Sequence, residues 1–210
     1  MIRTLILYIG ILAGAACTQQ REQLRTGDLL FQVGHESAMS GAIMAATGKS
    51  EEVKFTHVGI AVIGSRADSV LEATSDGGVR MTVLSDFLNK SARLNGRPVA
   101  IAKRLKDTAG IAAAVARART FLGQPYDYSF RPDNGKLYCS ELVWESYLAP
   151  DGRRLFPAQA MNFRAADGSM PPFWTELFAN MGEEIPEGLP GTNPNDMSRD
   201  TLLTEVFRWF

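Results

Sequence analysis

The chain has 210 residues, 45% of them apolar and 21% charged, with a formal net charge of −1. That length and mix describe one ordinary globular domain, with core enough to fold without disulfides or metals, and exclude a disordered chain. With no basic excess and no charge block, nothing in the balance points to nucleic acid as a partner.

The N-terminal "MIRTLILYIGILAGAAC" carries one basic residue, Arg3, followed by an uncharged run over residues 4–16. The run is shorter than the roughly 20 residues that span a bilayer, and it has the length of the apolar region of an export signal. It ends in Gly14-Ala15-Ala16 directly before Cys17, and so resembles a bacterial lipoprotein signal, with Gly14 where that pattern usually has Leu. The resemblance implies a lipidated Cys17, a membrane anchor, and an exported protein of the cell envelope or periplasm. An ordinary secretory peptide and an uncleaved anchor are the alternatives. The chain then divides into a signal segment over 1–17, a tether over 18–25 and a single domain over 26–210. With Cys17 lipidated, Cys139 is the one remaining thiol and has no intramolecular disulfide partner. An odd thiol in an exported chain points to reactivity.

After the tether, "TGDLLFQVG" reads as a turn and a strand over residues 29–33. Residues 37–47 predict a helix, with Met39, Ala42, Ile43 and Ala46 at i, i+3, i+4 and i+7 and Gly48 as its stop. That stripe is core packing. "FTHVGIAVI", residues 55–63, is a β-rich run of strand length. Strands over 70–74 and 79–83 are joined by the four residues Ser75-Asp76-Gly77-Gly78, a hairpin connection. "SDFLNK" predicts one helical turn, and "PVAIAKRL", residues 98–105, a further strand of an antiparallel meander. A helix over 108–122 presents Ile111, Val115, Ala118 and Leu122 to the core and stops at Gly123 and Pro125. The loop "GQPYDYSFRPDNGK" leads into a helix over 139–148. Short helices are expected over 173–181 and 199–203, with the Pro- and Gly-rich "EEIPEGLPGTNPNDMS" packed over the domain between them. The expected fold class is α+β.

Two histidines, His35 and His57, follow the signal segment. No Cys pair, His-x-x-x-His or Asp-rich loop points to a metal, and neither a phosphate cradle nor a Gly-x-Ser-x-Gly elbow is present. No cofactor is expected. What remains is the thiol. Cys139 opens its helix, with Leu142, Val143 and Ser146 on the same sheet-facing side. Unpaired N–H groups and the positive end of the helix dipole favour a nucleophilic thiolate there, and later a tetrahedral oxyanion. A thiolate still needs a base and an acid. Alternation puts His57, Gly59 and Ala61 on one strand face, whose small residues leave room for another chain segment or a substrate. Glu72 lies inside the apolar "VLEA", where a carboxylate needs a partner. A neighbouring imidazole supplies one, and is itself held in one tautomer.

A plainer explanation stands beside each residue. An apolar-flanked cysteine packs more often than it reacts, a lone strand histidine is usually structural, and Arg80 across the hairpin is a second partner for Glu72. His35 in "VGHESAM" is the competing base and reads as a loop residue. Ser140 points away from the sheet and is not taken as the nucleophile. The residues alone leave packing and chemistry both open.

The ordered set "TGDLLFQ", "TGKSEEVKFTHVGIAV", "VLEA", "PYDYSF" and "KLYCSELVWESY" resembles the circularly permuted papain-like cysteine hydrolases, in the YiiX/YebB-like branch of the NlpC superfamily. The likeness covers about residues 24–150, with an echo in "LPGTNPNDMS". In ordinary papain-like enzymes the cysteine helix comes first; here the order is His57, Glu72, Cys139. The resemblance implies a permuted papain-like fold, in which a small antiparallel sheet carries His57 and Glu72 on adjacent strands and the Cys139 helix packs on it. It implies Cys139 as nucleophile, His57 as base and acid, and Glu72 as orienter. Tyr126, Tyr138 and the segment with Ser37, Ser40 and Thr47 would border the substrate, Tyr138 also assisting the oxyanion hole. Gly27-Asp28 would form a structural turn. The implied activity is a thiol amidase or peptidase of the cell envelope, acting on peptidoglycan-type peptides or amino-acid amides. Two alternatives are a lipid acyl hydrolase or acyltransferase of the lecithin:retinol acyltransferase type, and a non-catalytic lipoprotein binding a ligand in the same cleft.

Overall fold

The computed structural model describes residues 23–47 and 53–210. The signal segment, Cys17, most of the expected tether and the Gly48 helix stop lie outside the described residues. In chain order the elements are β1 (Leu29–Gln32), α1 (Ala38–Thr47), β2 (His57–Val62), β3 (Ser69–Thr74) and β4 (Gly78–Val83). Then come α2 (Leu84–Asn89), β5 (Arg93–Leu94), β6 (Arg97–Pro98), β7 (Ala100–Leu105) and α3 (Ile111–Thr120). The last are α4 (Cys139–Ser146), β8 (Gln159–Ala160), α5 (Pro172–Met181), β9 (Pro190–Gly191), α6 (Pro194–Ser198) and β10 (Leu203–Arg208).

Six strands form one antiparallel sheet in the order β10-β7-β1-β2-β3-β4. The meander holds from β1 to β4; β7 then returns to the far side of β1. Both faces of the sheet are covered, which is why β1, "LLFQ", is buried at every position instead of alternating. On one face Leu29, Phe31, Val58, Ile60, Leu71 and Ala73 pack against α3 and α4 through Val115, Leu142 and Val143. On the other, Leu30, Ala61, Val70 and Ala100 pack against Phe87 and Leu88 of α2. A third cluster is aromatic: Phe130, Tyr138, Phe163, Trp174 and Phe178 bring α5 and Ala42 of α1 together over the end of α4.

The β3–β4 turn is three residues, because Gly78 already pairs with Thr74. Gly78 has φ +64, and a Cβ there would stand 2.2 Å from the Gln124 carbonyl oxygen, so only glycine closes this hairpin. The Gly27-Asp28 turn is structural. Buried Asp28 accepts from Arg25 N at 2.7 Å and from Arg104 Nε at 2.7 Å, while the Gly27 carbonyl accepts from the Tyr147 hydroxyl at 2.8 Å.

Three expectations change. The tether ends earlier than residue 25: Leu24 is buried in the core, and the Gln23 carbonyl accepts from Arg104 at 2.6 Å. Leu122 is 42% exposed, since α3 stops at Thr120 and turns its contact face through Ala114, Val115 and Ala118. The helix expected over 199–203 lies earlier, as α6, with Asn193 as its cap accepting from Asp196 N and Pro194 in its first turn. Residues 203–208 are instead an edge strand, with a register shift between Glu205 and Phe207. Among the described residues no helix is long and apolar enough to cross a membrane.

Candidate active site

Three chain segments far apart in sequence meet at His57, the first residue of β2. Strand pairing puts Gly59 opposite Leu30, so His57 and Glu72 belong to the α2 face of the sheet. The α4 helix covers the opposite face, and the two layers join at the imidazole. His57 Nε2 donates to Glu72 Oε2 at 2.6 Å, because an ionised carboxylate only accepts. Cys139 is the other side chain close enough to shift the imidazole's pKa. Phe87 stacks obliquely beneath the ring, with centroids 5.8 Å apart. The imidazole is 17% exposed and Glu72 1% exposed, so the pair is shielded but open on one side.

Burial disfavours charge on His57, but the neighbouring Cys139 and Glu72 outweigh it and push the imidazole up to about 10. His57 is therefore a cation at neutral pH. Burial pushes Glu72 toward its neutral form, yet its pKa is lowered by the bond to His57, by Thr82 and by the Arg80 charge. Thr82 Oγ1 donates to Glu72 Oε1 at 2.5 Å, and Arg80 Nε lies 3.9 Å from the same oxygen. Both partners foreseen for Glu72, the imidazole and Arg80, are thus present, with the imidazole much the closer.

Cys139 is 5% exposed and opens α4, behind an extended Tyr138. Its first-turn N–H groups are the anion-facing end of the helix. The helix is buried on nearly all sides, Ser140 included, because the aromatic cluster covers what the sheet does not. Glu141, two residues on, is 2% exposed and accepts from Tyr138 N at 3.4 Å. Burial and the nearby Asp127 charge push it up to about 8.

Of the two occupants expected for the small face of β2, the structure shows another chain segment. A Cβ on Gly59 would stand 2.4 Å from Val70 Cγ1 and 3.3 Å from Glu72 Cβ, so the missing side chain admits the neighbouring strand. The open space is a cleft of about 540 Å³ beyond the start of β2, between the sheet end, α1 and Phe173. His57 and Glu72 line it, and so do Tyr126, Ser37 and Ser40. Tyr138 does not: its hydroxyl accepts from Thr192 N at 3.1 Å inside the aromatic cluster. Its side chain is a strut between α4 and the C-terminal segment, and the expected substrate and oxyanion roles of that side chain are withdrawn. Thr47 is also structural, donating to Ile43 O and accepting from Asn195. His35 stands on the cleft rim and is bonded through Nε2 to the Asn89 carbonyl at 2.8 Å, away from the thiol.

Two supporting residues were not foreseen. Thr82 looks like any strand threonine until the register places it beside Glu72. Asn195 is fully buried and grips the backbone of Phe55, two residues before His57, accepting from its N–H at 2.8 Å and donating to its carbonyl at 2.9 Å. The visible signal was the "NPND" in the C-terminal echo.

The chain matches, over residues 23–207, the model of a family described as permuted papain-like amidase enzymes, YaeF/YiiX, C92 family. It is 31% identical over 187 residues to the uncharacterised protein YiiX of Escherichia coli strain K12, covering 88% of this chain and 86% of that one. A crystal structure described as metalloprotein YiiX from Escherichia coli O157:H7 superposes with a TM-score of 0.72 at 27% identity, covering 90% of this chain and 99% of that one. The metal is said of that protein; among the described residues here, no three of His, Cys, Asp and Glu are grouped to hold an ion.

Proposed function

Because the chain belongs to the permuted papain-like amidases of the YaeF/YiiX, C92 family, we propose that it is a cysteine-nucleophile amide hydrolase of the cell envelope, acting on peptide-type or amino-acid amides. The observation that carries this reading is the His57 imidazole, bonded to a buried carboxylate and close enough to Cys139, at a helix N-terminus, for that thiol to raise its pKa. In the proposed reaction Cys139 Sγ attacks the carbonyl carbon. The oxygen takes up the negative charge and is held by the Cys139 N–H. His57 then gives its proton to the leaving nitrogen as the C–N bond breaks, leaving a thioester. Water, deprotonated by His57, attacks that thioester and releases the acid and the thiolate. Glu72 keeps the imidazole in one tautomer and orientation throughout.

Thiol reactivity tests this directly. Cys139 is expected to react with iodoacetamide at neutral pH faster than free cysteine, and His57→Ala is expected to slow it at least tenfold. Ordinary thiol kinetics, indifferent to that substitution, would remove the proposed chemistry. Action at the envelope rests on the N-terminal pattern ending at Cys17. Palmitate labelling of cells making the full chain is expected, with loss of label in Cys17→Ala.

A further inference from the structure

The floor of the cleft holds a polar side chain that the proposed reaction does not use. Gln32 closes β1 and is paired directly across the ladder with His57. Directly paired residues project to the same sheet face, so Gln32 and the imidazole stand side by side. Gln32 lines the cleft. It is nevertheless only 3% exposed, and its Oε1 has no hydrogen-bond partner among the described residues. A buried amide left unpaired costs roughly 1–3 kcal/mol, and such groups call for an explanation. The cleft also offers apolar surface: Met39 and Ile43 of α1 and Phe173 of α5 line it.

We infer that Gln32 is a specificity-determining residue that hydrogen-bonds a backbone amide of a peptide-like substrate, whose apolar side chain rests on Met39, Ile43 and Phe173. A carboxamide carries both a donor and an acceptor, and so does a peptide group. Whichever end of Gln32 faces the substrate, a peptide group satisfies it and a hydrocarbon chain satisfies neither. A fatty acyl chain laid over Gln32 would seal the amide in without a partner, which discriminates against lipid substrates. The inference rests on the hydrolase reading only in taking this cleft as the substrate's.

The test measures binding, so that it does not depend on turnover. The full chain with Cys139→Ala is titrated calorimetrically with N-acetyl-leucyl-alanine methylamide and with an alkyl methylamide of equal length. The same titrations are made with Gln32→Met added. The peptide is expected to bind more tightly than the alkyl ligand. Gln32→Met is expected to weaken the peptide about tenfold, as for one lost buried hydrogen bond, and to leave the alkyl ligand unchanged or tighter. Equal weakening of both ligands, no weakening of the peptide, preference for the alkyl ligand, or binding of neither overturns the inference. Should Gln32→Met not fold, Gln32→Asn withdraws the amide by one methylene and carries the same comparison. Acylation of Cys139 in the unsubstituted chain by matched activated esters, read by mass spectrometry, separates the two proposals. Gln32-dependent binding without acylation removes the hydrolase reading alone. Equal acylation by both esters, indifferent to Gln32→Met, overturns the inference alone.

Discussion

Glu72 sets the electrostatics of the candidate site. Its two oxygens are divided between His57 and Thr82, and burial at 1% exposure keeps water from competing. The imidazole it supports has a folded pKa of about 10 against an ordinary 6.5. That raised value means the stabilisation from a charged His57 is complete below about 6.5 and is lost as pH rises through about 10. For Glu72 the sign is opposite: its pKa is lowered, so its contribution is present above 4.5 and is lost as pH falls below that value. Glu72→Gln keeps the shape and removes the charge. Steady-state kinetics across pH are expected to show kcat/KM down about 10²- to 10⁴-fold, with the alkaline limb moved from near 10 toward neutrality. An unchanged limb would mean that Glu72 does not hold the imidazole's charge. At this scale the sequence was informative about Glu72, because an acid amid apolar strand residues demands a partner. It was not informative about Tyr138, since nothing local says that its hydroxyl is occupied by Thr192.

At the scale of elements, α6 fixes the strand that carries His57. Asn195 completes the backbone hydrogen bonding of Phe55 and also reaches Thr47 at 2.7 Å, tying α1, the start of β2 and α6 together. Asn195→Ala leaves the buried N–H and carbonyl of Phe55 unpaired. Chemical denaturation is expected to report a loss on the order of 2–4 kcal/mol. Kinetics are expected to show kcat falling more than KM rises, because the imidazole loses its fixed position. A stability within 0.5 kcal/mol of the parent, on the order of a surface substitution, would contradict this role. Element types were largely legible, since β2, β3, α1 and α4 follow from hydrophobic period and breakers alone. The element ends and α6 were not. An Asn-Pro pair reads as a loop, yet it caps a helix once the chain turns there.

For the whole molecule, the edges of the sheet matter most. β10 is the last strand of the chain and covers the outer edge of β7, burying Leu203 and half-burying Phe207 and Trp209. Removing residues 203–210 would strip that cover and leave β7 as an open edge. Thermal unfolding is expected at least about 10 °C lower, from the apolar surface lost, with aggregation through the exposed strand. A truncated chain with an unchanged melting temperature would show that the strand is dispensable. The order of the chain already determined that Cys139 follows His57 and Glu72, and that Glu72 needed a counterpart, since these follow from residue identity and local period. Only the tertiary structure decided that His35 is bonded to the Asn89 carbonyl, that Tyr138 is a strut, that Thr82 supports Glu72, that Asn195 holds the backbone of Phe55, and that Gln32 stands beside His57. Those facts depend on strand register and on contacts between residues 50 to 140 positions apart, and side-chain identity alone carries no information about either.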